Sequence, residues 1–361
     1  MSLQFVATSA AAAIGVAGFE DRLGFGEARH AVVVLIDGLG WQLLQQHPGA
    51  APNLVAAEGG KTDTVFPSTT PTALGALGTG QLAGAHGLVG GSFWLPESDV
   101  VINPLQWPAG VSPIATQPEP TVFERVERAG ARVTTIADGK FAESGLTRAV
   151  LRGGVYVPSQ LTQSGSERLA EACGGGGASL TYVYWGALDR IGHEFGAGSH
   201  EWLRALGEVD ALVAHLADRL PSDGVMLVTA DHGMVNCPPQ SRIDIDDDPQ
   251  LMAGVATIAG EPRVRHVYCT ADPQQVARRW EARLGDSARV LTRDELIDTG
   301  LLGPVDPELA ERIGDVVAIA RDDVSLSSHA DRRVSGLLGQ HGALTGVERE
   351  IPLLWFRGAG G

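Results

Sequence analysis

The stretch GVMLVTADHG, residues 224–233, sets an apolar, β-branched run directly against two polar side chains, Asp231 and His232. An uninterrupted apolar run of this length fits a strand buried on both faces, the kind found in parallel sheets. The same form recurs along the chain. AVVVLI (31–36) runs into Asp37, and ARVTTIAD (131–138) follows the helical TVFERVERAG. LTYVYWG (180–186) precedes ALDRIGHEFG, and IPLLWF (351–356) closes the series. Buried strands separated by helical lengths predict an α/β fold with a doubly wound, mostly parallel sheet and helices on both faces. HEWLRALGEVDALVAHLADRL (200–220) has apolar residues at helical spacing and is the clearest helix.

Residues 238–330 break this rhythm. They open with Pro238-Pro239 and an acidic run from Asp244 to Asp248, then give strand-like RVRHVYC, helical PQQVARRWEARLG and strand-like DVVAIARDD. That is enough for a small α/β subdomain, inserted before the chain returns to the sheet with IPLLWF. The expected organisation is a core of residues 1–237 plus 331–361 and an insertion of 238–330, in the position of a lid. The acidic run reads as a solvated turn in preference to a calcium loop.

Composition narrows the function. At 361 residues the chain can bury a substantial core, and its 47 glycines imply many tight turns. A net charge of −16 excludes nucleic acid polymers as partners, since their binding rests on basic patches. It leaves small phosphate substrates open, because carboxylates gathered around divalent cations make a locally positive site. The three cysteines, Cys173, Cys237 and Cys269, show no paired spacing. No basic residue precedes the alanine-rich start, and no apolar run approaches the roughly 18 residues that span a bilayer. The expectation is a cytoplasmic protein without membrane contact, of unspecified oligomeric state.

In open parallel sheets ligands bind beyond the carboxyl ends of the strands. The strands here deliver Asp37, then Asp189 and His193, then Asp231 and His232, and the segment before IPLLWF supplies His341 in GQHG. Taken singly, each has an ordinary explanation: a helix cap, a surface hydrogen bond, a loop histidine. Asp189 and His193, four apart on a helical turn, share a face and can grip one ion. Mixed imidazole and carboxylate donors suit zinc, and six are enough for two ions with three each. The segment DTVFPSTTPTALGALGTGQLAGAHGLVGG (63–91) packs hydroxyls, Ser68, Thr69, Thr70 and Thr72, ahead of a small-residue helix. A helix N-terminus accommodates phosphate oxygens, so one hydroxyl there can cap while its neighbour reacts.

VVLIDGLG (33–40), FPSTT (66–70), Thr79-Gly80, His86-Gly87, DRIGHEFG (189–196), TADHGM (229–234) and GQHG with EIPLL (339–354) form an ordered set. The set resembles the alkaline phosphatase superfamily and, within it, the type I phosphodiesterase/nucleotide pyrophosphatase family. The resemblance covers residues 32–234 and 339–356 and implies an alkaline-phosphatase-like core. It also implies roles. The nucleophile stands ten residues before the Gly of the Thr-Gly pair, which is Thr70. Asp37, Asp231 and His232 would hold the metal that activates Thr70, with Thr70 itself a ligand. Asp189, His193 and His341 would hold the second. Two positions depart from the family pattern: Pro71 stands where an aromatic stacks a nucleobase, and Gly91 where an Asn contacts a phosphoryl oxygen.

The expectation is a two-zinc hydrolase of phosphodiesters or phosphoanhydrides, acting on small substrates through a phosphothreonyl intermediate. The rivals are a phosphomonoesterase or phosphonate hydrolase on the same site, and a non-catalytic metal-stabilised binding protein. Sulfatase chemistry is excluded, because Thr70-Pro71-Thr72-Ala73-Leu74 lacks the Cys/Ser-x-Pro-x-Arg form. No cation beside Thr70 is identifiable; Lys140 or an arginine of the insertion would have to supply one.

Overall fold

The computed structural model describes residues 2–358. The two ends of the expected core, Met1 and Ala359–Gly361, lie outside the described residues. We number the strands used below in chain order: β1 (His30–Ile36), β2 (Glu58–Asp63), β3 (Arg132–Ala137), β4 (Val155–Pro158), β5 (Ser179–Trp185) and β6 (Gly224–Thr229). Next come β7 (Val255–Glu261), β8 (Val264–Cys269), β9 (Ala288–Thr292), β10 (Val316–Ala320) and β11 (Glu350–Arg357).

A seven-stranded sheet runs in the order β2-β11-β6-β1-β5-β3-β4. Its centre is parallel, β1 pairing with β5 and β6 and β5 with β3. The runs read as doubly buried are so: every residue of β1 and β6 is buried. The strand holding IPLLWF runs antiparallel to β6. Beyond it lies β2, EGGKTD, an edge strand with no hydrophobic signature.

Two groups of helices pack against the sheet. Phe5–Ala13, Thr70–Thr79 and Val122–Arg128 contact one another, and Leu161–Cys173 packs with His200–Ala217. The Ser199 hydroxyl caps the start of the latter helix, accepting from the Trp202 N–H at 3.1 Å. The helix ends at Ala217, short of Leu220, because Pro221 disfavours helical geometry in the residue before it.

Residues 255–320 form a four-stranded sheet, β7-β8-β10-β9, with the helix Pro273–Leu284 against β9 and β10. Trp280, Val267, Val316 and Ala318 make a small core of their own. Val264, Val317 and Ile319, alternate residues on the same strands, join the principal core instead. Among the described residues no helix is long and apolar enough to cross a membrane.

Candidate metal centre

Register decides where each chemical group leaves the sheet. Ile36 pairs with Trp185, and Leu35 with Thr229, so β1, β5 and β6 end level with one another. Asp37, the helix Ala187–Phe195 with Asp189 and His193, and Asp231-His232 therefore emerge at one edge. Because β11 runs the other way, the segment before it, with His341, starts from that edge too. Glycines let the loops close up: a methyl group on Gly40 or Gly233 would fall 2.9 Å from the other's Cα.

Two trios result, Asp37 with Asp231 and His232, and Asp189 with His193 and His341; within each, one ligand atom per residue lies within 4.8 Å of the others. The first trio is buried and the second partly so. Each imidazole places Nδ1 on a backbone carbonyl: His232 on Gly233 at 2.9 Å, His193 on Gly339 at 2.6 Å, His341 on Ser68 at 2.9 Å. A carbonyl only accepts, so Nδ1 carries the proton and Nε2 offers a lone pair. These lone pairs face carboxylate oxygens. His232 Nε2 is 3.4 Å from Asp231 Oδ2 and 3.5 Å from Asp37 Oδ1, and His193 Nε2 is 3.4 Å from Asp189 Oδ1.

The same three oxygens are buried and have no hydrogen-bond partner among the described residues. Their sister oxygens on the first trio are held: Asp231 Oδ1 accepts from the N–H groups of Gly38 and His232, and Asp37 Oδ2 accepts from the Tyr184 hydroxyl. Burial, with the Asp231 and Asp189 carboxylates nearby, pushes the Asp37 carboxyl well above its usual range. Burial, with His232 and His193 beside it, holds the His341 imidazole well below its own. Lone pairs facing orphaned carboxylate oxygens suit a cation, and a bound divalent ion would relieve both shifts. The donor set fits the metals the sequence implied.

Thr70 begins the helix Thr70–Thr79, and its hydroxyl lies 3.2 Å from His232 Nε2. Thr69, the N-cap residue, makes no side-chain cap, and the Ser68 hydroxyl donates to the Ala343 carbonyl at 2.8 Å. The helix start is thus left uncapped by side chains beside Thr70. Asp244, Asp247 and His329 form a third group, fully exposed.

A cavity of about 820 Å³ opens at Asp37 and Thr70 and follows the ends of β3, β4 and β5; Lys140 and Arg190 line it, with Phe141, Tyr156, Tyr184 and Trp185. Two arginines of the insertion are occupied elsewhere, Arg263 with Glu348 and Arg265 with Asp331. Sequence reasoning missed Tyr184, although Tyr182 and Tyr184 alternate in a strand whose end it had marked as functional.

A family model described as type I phosphodiesterase / nucleotide pyrophosphatase matches residues 31–344. The chain belongs to this family. As a type I phosphodiesterase / nucleotide pyrophosphatase family member it is a phosphoric ester hydrolase, which sets aside the non-catalytic alternative. Among solved structures, murine ectonucleotide pyrophosphatase / phosphodiesterase 5 matches with a TM-score of 0.73 at 19% identity, over 91% of this chain and 88% of that one. Phosphonoacetate hydrolase from Sinorhizobium meliloti 1021, in complex with phosphonoformate, gives 0.69 at 19% identity, over 92% and 91%. At such identity both likenesses speak for the fold. No curated protein sequence matches.

Proposed function

We propose that this family member hydrolyses phosphodiesters or phosphoanhydrides with two zinc ions and a phosphothreonyl intermediate on Thr70. Asp37, Asp231, His232 and Thr70 would hold one ion, and Asp189, His193 and His341 the other. The observation that carries this reading is the set of three Nε2 lone pairs turned toward three unpartnered carboxylate oxygens. When bound, zinc supplies Lewis acidity that lowers the pKa of a coordinated hydroxyl and offsets charge on phosphoryl oxygens.

Thr70 presents its hydroxyl oxygen in line with the leaving group. The bond from Thr70 Oγ1 to phosphorus forms as the bond to the leaving oxygen breaks, and the hydroxyl proton departs with the alcohol. Water then attacks the phosphothreonine, releases the phosphomonoester and restores the hydroxyl. Tyr184 holds Asp37 by one oxygen and leaves the other free for the metal.

The cavity receives the organic arm of the ester. Its volume and aromatic walls suit an arm far larger than that of a compact phosphonate. Lys140 is paired with Asp138 at 3.2 Å, which offsets its charge, so a diester anion is favoured over a monoester dianion. Arg190 makes no ion pair among the described residues and keeps monoester or phosphonate hydrolysis as the second reading. Three unpaired cysteines suit a reducing compartment such as the cytoplasm.

The test compares bis(p-nitrophenyl) phosphate, p-nitrophenyl phosphate and phosphonoacetate on zinc-loaded protein. The diester should show the highest kcat/KM. A clear preference for the monoester would replace the first reading with the second, and no turnover of any ester would remove both.

A further inference from the structure

We infer that Arg263 and Glu348, a buried ion pair joining the inserted segment to the core, are positioning residues that set both metal-ligand loops. The inference rests on the metal-site reading above. Arg263 lies in the turn between β7 and β8, and both side chains are fully buried. The guanidinium is bidentate on the carboxylate, Nε to Oε1 at 3.0 Å and Nη2 to Oε2 at 2.9 Å. Its remaining hydrogens go to the carbonyls of Arg321, Asp322 and Val324.

Glu348 passes this fixed position on to the site. Its Oε1 also accepts from the Ala343 N–H at 2.9 Å, two residues past His341. Its Oε2 accepts from the Thr345 hydroxyl at 2.6 Å. Its backbone carbonyl accepts from the Gly233 N–H at 2.7 Å, next to His232. The Ser68 hydroxyl and N–H reach Ala343 and Gly342, tying the start of the Thr70 helix to the same loop. One residue therefore touches a histidine loop of each trio, the His341 loop through its carboxylate and the loop beside His232 through its backbone carbonyl. A buried carboxylate without a counter-charge is expensive, and Arg263 supplies that charge from the insertion.

The same turn reaches a further loop. Glu261 Oε2 accepts from the Gly91 N–H at 2.6 Å, in the space that glycines at 91 and 342 leave for it. His266 donates from Nε2 to the Val89 carbonyl at 3.1 Å, and the Tyr268 hydroxyl accepts from the Trp94 N–H at 2.8 Å. With one face of its sheet in the principal core, the insertion braces the back of the site. Swinging it open as a lid would expose that face and break the pair.

The experiment measures zinc affinity by chelator competition, thermal midpoint and kcat and KM on the full chain. The variants are Arg263→Met, Glu348→Gln, Arg263→Lys, Arg293→Met and the apolar double variant Arg263→Met/Glu348→Leu. Arg263→Met and Glu348→Gln should each lose about 10- to 100-fold in zinc affinity, the range for residues that orient ligands. Their kcat should fall more than KM rises, and Arg263→Lys should recover part of the loss. Arg293→Met breaks an ion pair with Asp315 inside the insertion and should leave zinc affinity unchanged. The double variant removes the buried charges, so its thermal midpoint should recover while its zinc affinity stays low, because the Ala343 N–H has then lost its Glu348 acceptor. Zinc affinity that recovers together with stability would reduce the pair to a structural role and overturn the inference. Wild-type zinc affinity in folded Arg263→Met and Glu348→Gln would do the same. If the single variants do not fold, the double variant decides. Wild-type protein that binds no zinc would remove the metal reading itself, an outcome read without any variant.

Discussion

The Nε2 atoms of His193 and His341 stand 3.2 Å apart, and neither has a proton to give the other. Both rings donate from Nδ1 to backbone carbonyls, so two lone pairs confront each other beside the free oxygen of Asp189. A shared cation would turn this repulsion into coordination.

Metal content follows directly. Purified protein should carry two zinc ions per chain by elemental analysis, and chelation should abolish hydrolysis. Activity should also fall on the acid side, as protons compete with metal for the imidazole and carboxylate ligands. One calcium and no zinc would refute the two-metal centre.

Thr70→Ala and Thr69→Ala should part company. Thr70 faces His232 Nε2, whereas Thr69 makes no side-chain cap. Thr70→Ala should lower kcat by roughly 10³-fold or more with zinc retained, a loss of the size seen when a nucleophile is removed. Thr69→Ala should change kcat little. Equal losses would put the nucleophile at the wrong residue.

Tyr184→Phe removes one hydroxyl and leaves the packing intact. Asp37 then loses the donor that fixes its Oδ2. Zinc affinity should drop by about 10- to 100-fold by chelator competition, with the thermal midpoint of the metal-free protein scarcely moved. Unchanged affinity would mean the hydroxyl serves the substrate cavity instead.

Glu261 gives the protein an alkaline weakness. Burial pushes its carboxyl up to about 8 from an unfolded value near 4.5. The folded chain keeps a proton that the unfolded chain has lost, so this stabilisation is complete below pH 4.5 and disappears as pH rises through 8. His86 and His266, pushed down by burial to about 3 and about 4, act on the other side. The unfolded chain takes up protons below pH 6.5 that the folded chain refuses, and stability falls as the solution becomes more acidic. Urea midpoints of wild type and Glu261→Gln should therefore run parallel on the acid side of pH 4.5 and diverge between pH 5 and pH 8, the wild type losing more. Parallel curves throughout would show that Glu261 is ionised in the folded protein.

Much of this protein was legible in one dimension. AVVVLI, LTYVYWG and GVMLVT are strands because β-branched runs buried on both faces have no better conformation, and they pair in parallel as β1 with β5 and β6. Parallel direction brings the polar residues at their carboxyl ends to one edge. The edge strand EGGKTD was not legible, since a strand half exposed to water needs no apolar pattern. Nor was the reversed direction of IPLLWF, which a run of apolar residues does not encode.

What the tertiary structure alone decided is the chemistry at the atoms. The proton on His193 is fixed by a carbonyl 146 residues away and that on His341 by one 273 residues away. Arg263 finds Glu348 across 85 residues, and Tyr184 finds Asp37 from the neighbouring strand. Residue types announce which groups can donate and accept. Which donor meets which acceptor depends on the paths of loops closed around the finished sheet, where angles and tenths of an ångström govern hydrogen bonds and no local sequence pattern records them.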